Sequence, residues 1–116
     1  MLRAGLLCLI LAGPAAAAPV PKECRNSAPK LEGTTWEGDG VVAPTTYRFG
    51  PGGALTYSYN GRTYTTGTWK QDGPRVYWEC NNRYCEYEGT VKRDGMTVRA
   101  WNVAGGTWEL KIKLVR

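Results

Sequence analysis

The sequence predicts an all-β protein: an eight-stranded antiparallel up-and-down meander barrel, preceded by a cleaved signal peptide and a short extended arm. Three observations carry this expectation. From Trp36 to Arg116, runs of β-branched and aromatic residues recur with a turn signal roughly every ten residues. The turn signals are strong ones, with Asn60-Gly61 and Asp94-Gly95 suited to the two positive-φ positions of a type I′ hairpin. Every link is too short for a crossover, so consecutive strands must pair as neighbours, and glycines interrupt each window in which a helix might form.

The N-terminal segment has the three parts of a secretory signal. Arg3 supplies the positive charge, Leu6 to Ala12 the apolar core, and Gly13-Pro14 leads into small residues suited to a signal peptidase. The apolar run is far shorter than the ~20 residues that span a bilayer. The expected division is residues 1–17 as signal peptide, 18–33 as extended arm and 34–116 as barrel. Cleavage after Ala17 leaves about 99 residues, enough for one domain with one core. Pro21-Lys22-Glu23 before Cys24 lacks the small and apolar residues of a lipoprotein signal. The expected location is the periplasm or the exterior.

The strands are expected at Thr34–Val41, Thr45–Gly50, Ala54–Tyr59, Arg62–Lys70, Arg75–Cys80, Cys85–Arg93, Met96–Asn102 and Thr107–Val115. Register follows from turn length and alternation, because a slip of one residue exchanges the two faces of a strand. A four-residue loop between Cys80 and Cys85 sets Trp78 opposite Tyr87 and Val76 opposite Gly89. A two-residue turn at Asp94-Gly95 sets Val91 opposite Val98 and Gly89 opposite Ala100. A four-residue loop from Gln71 to Pro74 sets Trp69 opposite Val76 and Gly67 opposite Trp78. These pairings give one inner face, small residues opposite large ones, containing Trp36, Trp69, Trp78 and Trp108 with Tyr47, Phe49 and Tyr87. The last strand joins that face only if the Val103–Gly106 connection has an odd effective length, so a glycine bulge is expected there. One conflict stands out. A plain turn at Asn60-Gly61 turns Leu55, Tyr57, Tyr59 and Tyr64 outward, so either a bulge corrects the faces or the barrel carries an exposed tyrosine strip; the bulge is preferred.

After removal of the signal three cysteines remain, and export places them where disulfides persist. A Cys80–Cys85 disulfide across the hairpin is expected, the two sulfurs coming within bridging distance in a non-hydrogen-bonded pair, the alternative being Cys24 bonded to one of the two. Either arrangement leaves one thiol over.

The chemistry on offer is limited. The chain contains no histidine, which removes serine- and cysteine-histidine catalysis and most zinc sites. Glu79, Glu86 and Glu88 form the one carboxylate cluster, expected on the outer face with Arg75 and Arg83 to balance it. The formal charge of +5 comes from dispersed residues rather than a basic stripe, so no nucleic-acid role is expected, nor any membrane insertion or cofactor.

The arrangement resembles the calycin superfamily, the lipocalins and avidins, and in particular small exported bacterial lipocalin-like proteins of unassigned role. The resemblance runs from Gly33 to the C-terminus. Gly33-Thr34-Thr35-Trp36 stands near the Gly-x-Trp that opens the first strand of those families, with one extra residue. Gly67-Thr68-Trp69 and Gly106-Thr107-Trp108 have the short spacing in later strands, while Tyr87-Glu88-Gly89-Thr90 and Ala100-Trp101-Asn102 match the bacterial proteins. The resemblance implies a basic residue over the first-strand Trp, with Lys111, Lys113 and Arg116 available for it. It also implies a ligand-binding barrel, although the biotin-contacting pattern of avidins cannot be laid onto this chain. A looser resemblance is to exported protease inhibitors of the same architecture, which act through an N-terminal arm.

The expected function is thus a non-enzymatic exported binding module that takes a small, partly apolar ligand at an aromatic-lined mouth, with Trp69, Trp78 and Tyr87 near the site. The competing expectation is a protein–protein module, such as an inhibitor of a secreted or periplasmic hydrolase. That module would act through the arm or through an outer surface of Tyr57, Tyr64 and Trp101.

Overall fold

The computed structural model describes residues 28–38 and 44–116. The signal segment, Cys24 and most of the expected arm lie outside the described residues, as does the expected continuation of the first strand to Val41. Eight strands, β1 (Thr34–Gly38), β2 (Thr45–Phe49), β3 (Ala54–Tyr59), β4 (Arg62–Asp72), β5 (Arg75–Cys80), β6 (Cys85–Val91), β7 (Gly95–Asn102) and β8 (Thr107–Val115), pair antiparallel in sequence order. β8 returns to β1, with Trp36 opposite Leu114 and Gly38 opposite Ile112, and closes the barrel. Closure removes the edges that an eight-stranded open sheet would expose.

The turns at one end of the barrel follow the local code. Asn60 and Gly61 both adopt positive φ, 53° and 79°, and Tyr59 pairs with Arg62 as a two-residue type I′ turn demands. The faces are then corrected within β4, where Thr65 and Thr66 together oppose Thr56 between the Tyr57–Tyr64 and Leu55–Gly67 pairs. The expected bulge is therefore present, and it sits in the strand rather than in the turn. It turns Leu55 and Tyr57 inward together with Gly67, so no outward tyrosine strip forms there. Gly67 must lack a side chain, since a Cβ would stand 2.9 Å from the Glu79 carbonyl oxygen.

The β7–β8 connection also behaves as expected. Gly105 N donates to the Asn102 carbonyl, Asn102 N donates to that of Gly106, and Gly105 has φ 89°. This is a three-residue loop ending in a glycine bulge. It pairs Ala100 with Trp108 and so turns Trp108, Leu110 and Ile112 inward.

Two registers differ from expectation, each by two residues. Between β4 and β5 the turn is the tighter Gly73-Pro74, with Gly73 at φ 63° and Pro74 held near its fixed negative φ, which suits a type II′ hairpin. Trp69 therefore opposes Trp78 rather than Val76, and Trp78 is no longer opposite Gly67. Between β6 and β7 the chain turns at Arg93-Asp94, and Gly95 is already in the strand without positive φ. Val91 opposes Met96 and Gly89 opposes Val98. The cause is tertiary. Asp94 O accepts from Leu114 N at 2.9 Å and Val91 N donates to Pro74 O at 2.8 Å, so both neighbouring strands hold this hairpin and override its Asp-Gly signal. A shift of two residues preserves the faces, which is why the inner set survives both corrections.

The two ends of the barrel differ. Trp36, Phe49, Leu55, Val76, Trp78, Val98 and Ile112 fill the middle, each at most 1 % exposed. Phe49 meets Trp69 and Trp78 edge-on at 5.3 Å. The end that holds the β2–β3, β4–β5 and β6–β7 turns is stoppered by the last residues of the expected arm. Leu31 is buried at 1 % exposure, its N–H donates to Gln71 Oε1, and Gln71 Nε2 donates to Pro29 O and Gly73 O. Gly33 N donates to Phe49 O. Residues 28–33 thus belong to the barrel's packing. Among the described residues no basic side chain covers Trp36: its Nε1 donates to Thr34 Oγ1, and its neighbour on β8 is Leu114. The cations that do lie over rings are Lys70 on Tyr77 and Arg99 on Trp101, both on the outer face.

Candidate functional site

Among the described residues the opposite end, bearing the β3–β4, β5–β6 and β7–β8 turns, is open. β1, β2, β3 and β8 deliver large residues inward, no described residue stacks above the last turn of each strand pair, and a cavity of about 650 Å³ remains. Tyr47, Tyr57, Tyr59, Tyr64, Tyr84 and Tyr87 line it, which is six of the seven tyrosines in the chain. Trp108, Leu110, Cys80 and Cys85 complete much of its wall.

The rings are set at steep angles as well as stacked. Tyr87 lies flat on Trp78 (5.2 Å, 9°) but meets Tyr47 at 62° and Trp108 at 87°. Tyr57 and Tyr64 stack at 5.0 Å. The result is a concave corner of ring faces over a floor closed by Trp78. Tyr57 is fixed by a hydrogen bond from Asn81 N to its hydroxyl, 2.9 Å, which ties β3 to the β5–β6 loop. That loop is unusual in its backbone: Asn81, Asn82 and Arg83 all take positive φ, 55° to 67°. The two asparagines tolerate this conformation, whereas Arg83 does so at a cost. The loop presents Asn81 and the 41 %-exposed Tyr84 to the cavity.

The most deeply buried titratable groups of the wall are held neutral. Burial, above all, pushes the phenols of Tyr47, Tyr87 and Tyr57 upward from their ordinary value, and the Cys80 and Cys85 thiols likewise. Tyr47 and Tyr87 are also within hydrogen-bonding reach of each other. Cys80 and Cys85 are direct cross-strand partners and both are free thiols. Among the described residues no three metal-ligating side chains converge. A wall of phenols, thiols and ring faces can enclose, stack on and hydrogen-bond a guest.

The sequence-predicted site residues separate under this geometry. Tyr87 is in the wall. Trp78 lies beneath it, fully buried, with its Nε1 lacking a hydrogen-bond partner. Trp69 is at the stoppered end, where its Nε1 donates to Gly50 O at 2.9 Å and its ring borders a shallow outer depression of about 330 Å³. Of the residues expected on an outer surface, Tyr57 and Tyr64 stand in the mouth and Trp101 is outside. Trp101 Nε1 donates to Glu86 Oε2 at 3.2 Å. Glu79 and Glu86 face each other on the outer face as expected, with the Tyr77 hydroxyl between them at 3.0 and 2.6 Å, and Arg83 stands 3.8 Å from Glu79.

Tyr59 and Tyr84 were not singled out by sequence reasoning. The signal that locates them is proximity to turns: Tyr57, Tyr59, Tyr64, Cys80, Tyr84, Cys85 and Trp108 all lie within a few residues of the turns at one end. Comparison with protein-family models, curated proteins and solved structures finds no match for the chain.

Proposed function

We propose that this protein is a non-enzymatic, exported binding module of calycin-like architecture that takes a small, partly apolar ligand in the tyrosine-lined mouth. The observation that carries this reading is the cavity of about 650 Å³, which falls within the ~300–1,000 Å³ typical of small-molecule sites. It is concave, largely apolar, and its polar groups are phenol hydroxyls placed to orient a guest. Phenol rings add enclosure at low conformational cost because each has only two side-chain torsions. The half-packed lumen supports the same reading: the barrel fills one end and leaves the other empty.

Native mass spectrometry of the protein from its source, paired with a cavity-filled variant, tests this. Leu110→Trp places an indole in the mouth from a half-buried wall position. The expected result is a retained small molecule, or a binding signal from a ligand library, that the variant weakens about tenfold or more. Binding that Leu110→Trp leaves untouched but that deletion of residues 18–27 abolishes favours the protein–protein reading instead.

A further inference from the structure

We propose that the mouth selects an organic cation, an alkylated ammonium group carried on an apolar body, over neutral and acidic ligands of the same shape; the inference rests on the small-ligand reading above. Among the described residues the lining includes no lysine and no arginine, and Glu109 is the one with a formal charge. A carboxylate or phosphate entering this space would leave water and find no cation to pair with, which is strongly unfavourable. An alkylated ammonium meets the opposite situation. Six phenol rings and one indole line the space, and each ring that turns its negative face to the cation is worth a factor of roughly two to thirty in affinity.

The ring arrangement suits this use. Tyr87, Tyr47 and Trp108 meet at 62° and 87°, so their planes bound a corner instead of a flat slot. Tyr57 and Tyr64, stacked parallel at 5.0 Å, form another wall. A corner of this kind surrounds a compact tetrahedral group, whereas a flat guest needs parallel faces set apart. Alkylation matters because a bare ammonium is strongly hydrated and loses more on entering an apolar space. The buried Tyr47 and Tyr87 phenols stay protonated and supply no localised anion, and the attraction is that of the ring faces with Glu109 at the edge. Among the described residues two arginines stand at this end, Arg62 at the start of β4 and Arg83 in the β5–β6 loop. Both are exposed, and Arg83 lies near Glu79 on the outer face, so solvent screens them from the interior.

The test uses the full chain with three probes that share a phenyl ring: benzyltrimethylammonium, its uncharged carbon isostere neopentylbenzene, and phenylacetate. Quenching of tryptophan fluorescence reads binding. The expected result is that benzyltrimethylammonium binds about tenfold or more tighter than neopentylbenzene, with phenylacetate weakest. Tyr64→Leu and Trp108→Leu should each narrow the ratio between cation and isostere; Tyr64 is 38 % exposed, so its replacement spares the core. Equal or tighter binding of neopentylbenzene overturns the cation preference while leaving the cavity as a ligand site, and preferential binding of phenylacetate does the same. If none of the three binds, and the Leu110→Trp variant leaves any ligand from the source undisturbed, this inference and the small-ligand reading fall together.

Discussion

At the scale of single residues, burial of groups that would otherwise ionise is the dominant electrostatic fact. The Cys80 thiol has an ordinary value of 9.0, and the phenols of Tyr47 and Tyr87 one of 10.0; all three are raised in the folded chain, chiefly by desolvation. Above those ordinary values the unfolded chain has lost protons that the folded chain still holds. The unfolding free energy therefore falls as pH rises, and the contribution is fully present only below the unfolded values. For the reduced protein the urea midpoint should stay level from about pH 6 to about pH 8 and decline above about pH 9; a midpoint that held level to about pH 11 would contradict the assignment. Leu31 makes a second residue-scale prediction. It is 1 % exposed and stoppers one end of the barrel, so Leu31→Ala should cost about 2–5 kcal/mol in denaturant unfolding. A residue in a free arm would show almost none of that loss.

At the scale of elements, the β5–β6 hairpin concentrates the unusual features. Its loop places three consecutive side-chain-bearing residues in the left-handed region, and Arg83 has only an exposed 3.8 Å contact with Glu79 to set against the strain. Arg83→Gly should stabilise the protein by about 0.5–1 kcal/mol, the relief of a left-handed non-glycine exceeding the entropy that glycine adds to the unfolded chain. A lower urea midpoint for this variant would mean that the loop is held by something other than the turn itself. The base of the same hairpin pairs Cys80 with Cys85. Val91 N donating to Pro74 O fixes the phase of the ladder, and counting back along it makes Cys80–Cys85 a hydrogen-bonded pair. Such pairs have Cα atoms about 5.5 Å apart, inside the range a disulfide spans. Their Cβ atoms stand farther apart than in the non-hydrogen-bonded pair expected from the sequence, so the bond must draw the base of the hairpin together. Protein recovered from an oxidising compartment should therefore be lighter by two hydrogens, and peptide mapping should join the segments bearing Cys80 and Cys85. A bond from Cys24 to either partner in that map would refute the hairpin disulfide.

At the scale of the whole molecule, the barrel is solid at one end and hollow at the other. Large rings enter from β1, β2, β5 and β6 at its middle, and Leu31 covers the near end; nothing among the described residues covers the far one. Two substitutions to the same residue expose the difference. Val98→Trp adds an indole where exposure is already 0 %, and overpacking should cost about 1–3 kcal/mol or more. Leu110→Trp adds it to the cavity wall and should cost less than about 1 kcal/mol. Equal losses in chemical denaturation would mean that the cavity does not stay open in solution.

Much of this architecture was legible from local chemistry. Strand number, order and closure follow from short links and recurrent turns, because two-residue and three-residue hairpins admit few backbone geometries. The inner face follows from alternation, and it survived two register errors because both were even. What the chain could not reveal locally was which of several turn signals would win. Asp94-Gly95 lost its turn to hydrogen bonds from β8 and β5, and Gly73-Pro74 took over a longer loop. The side of Tyr57 and Tyr64 depended on a bulge at Thr65-Thr66, whose residues carry no turn signal at all. The mouth itself lay beyond sequence reach for a related reason. Sequence alternation says which residues point inward, but only the closed barrel brings the ends of β2, β3, β4, β6 and β8 to one place. Volume left unfilled there is a property of the assembled walls and of no single strand.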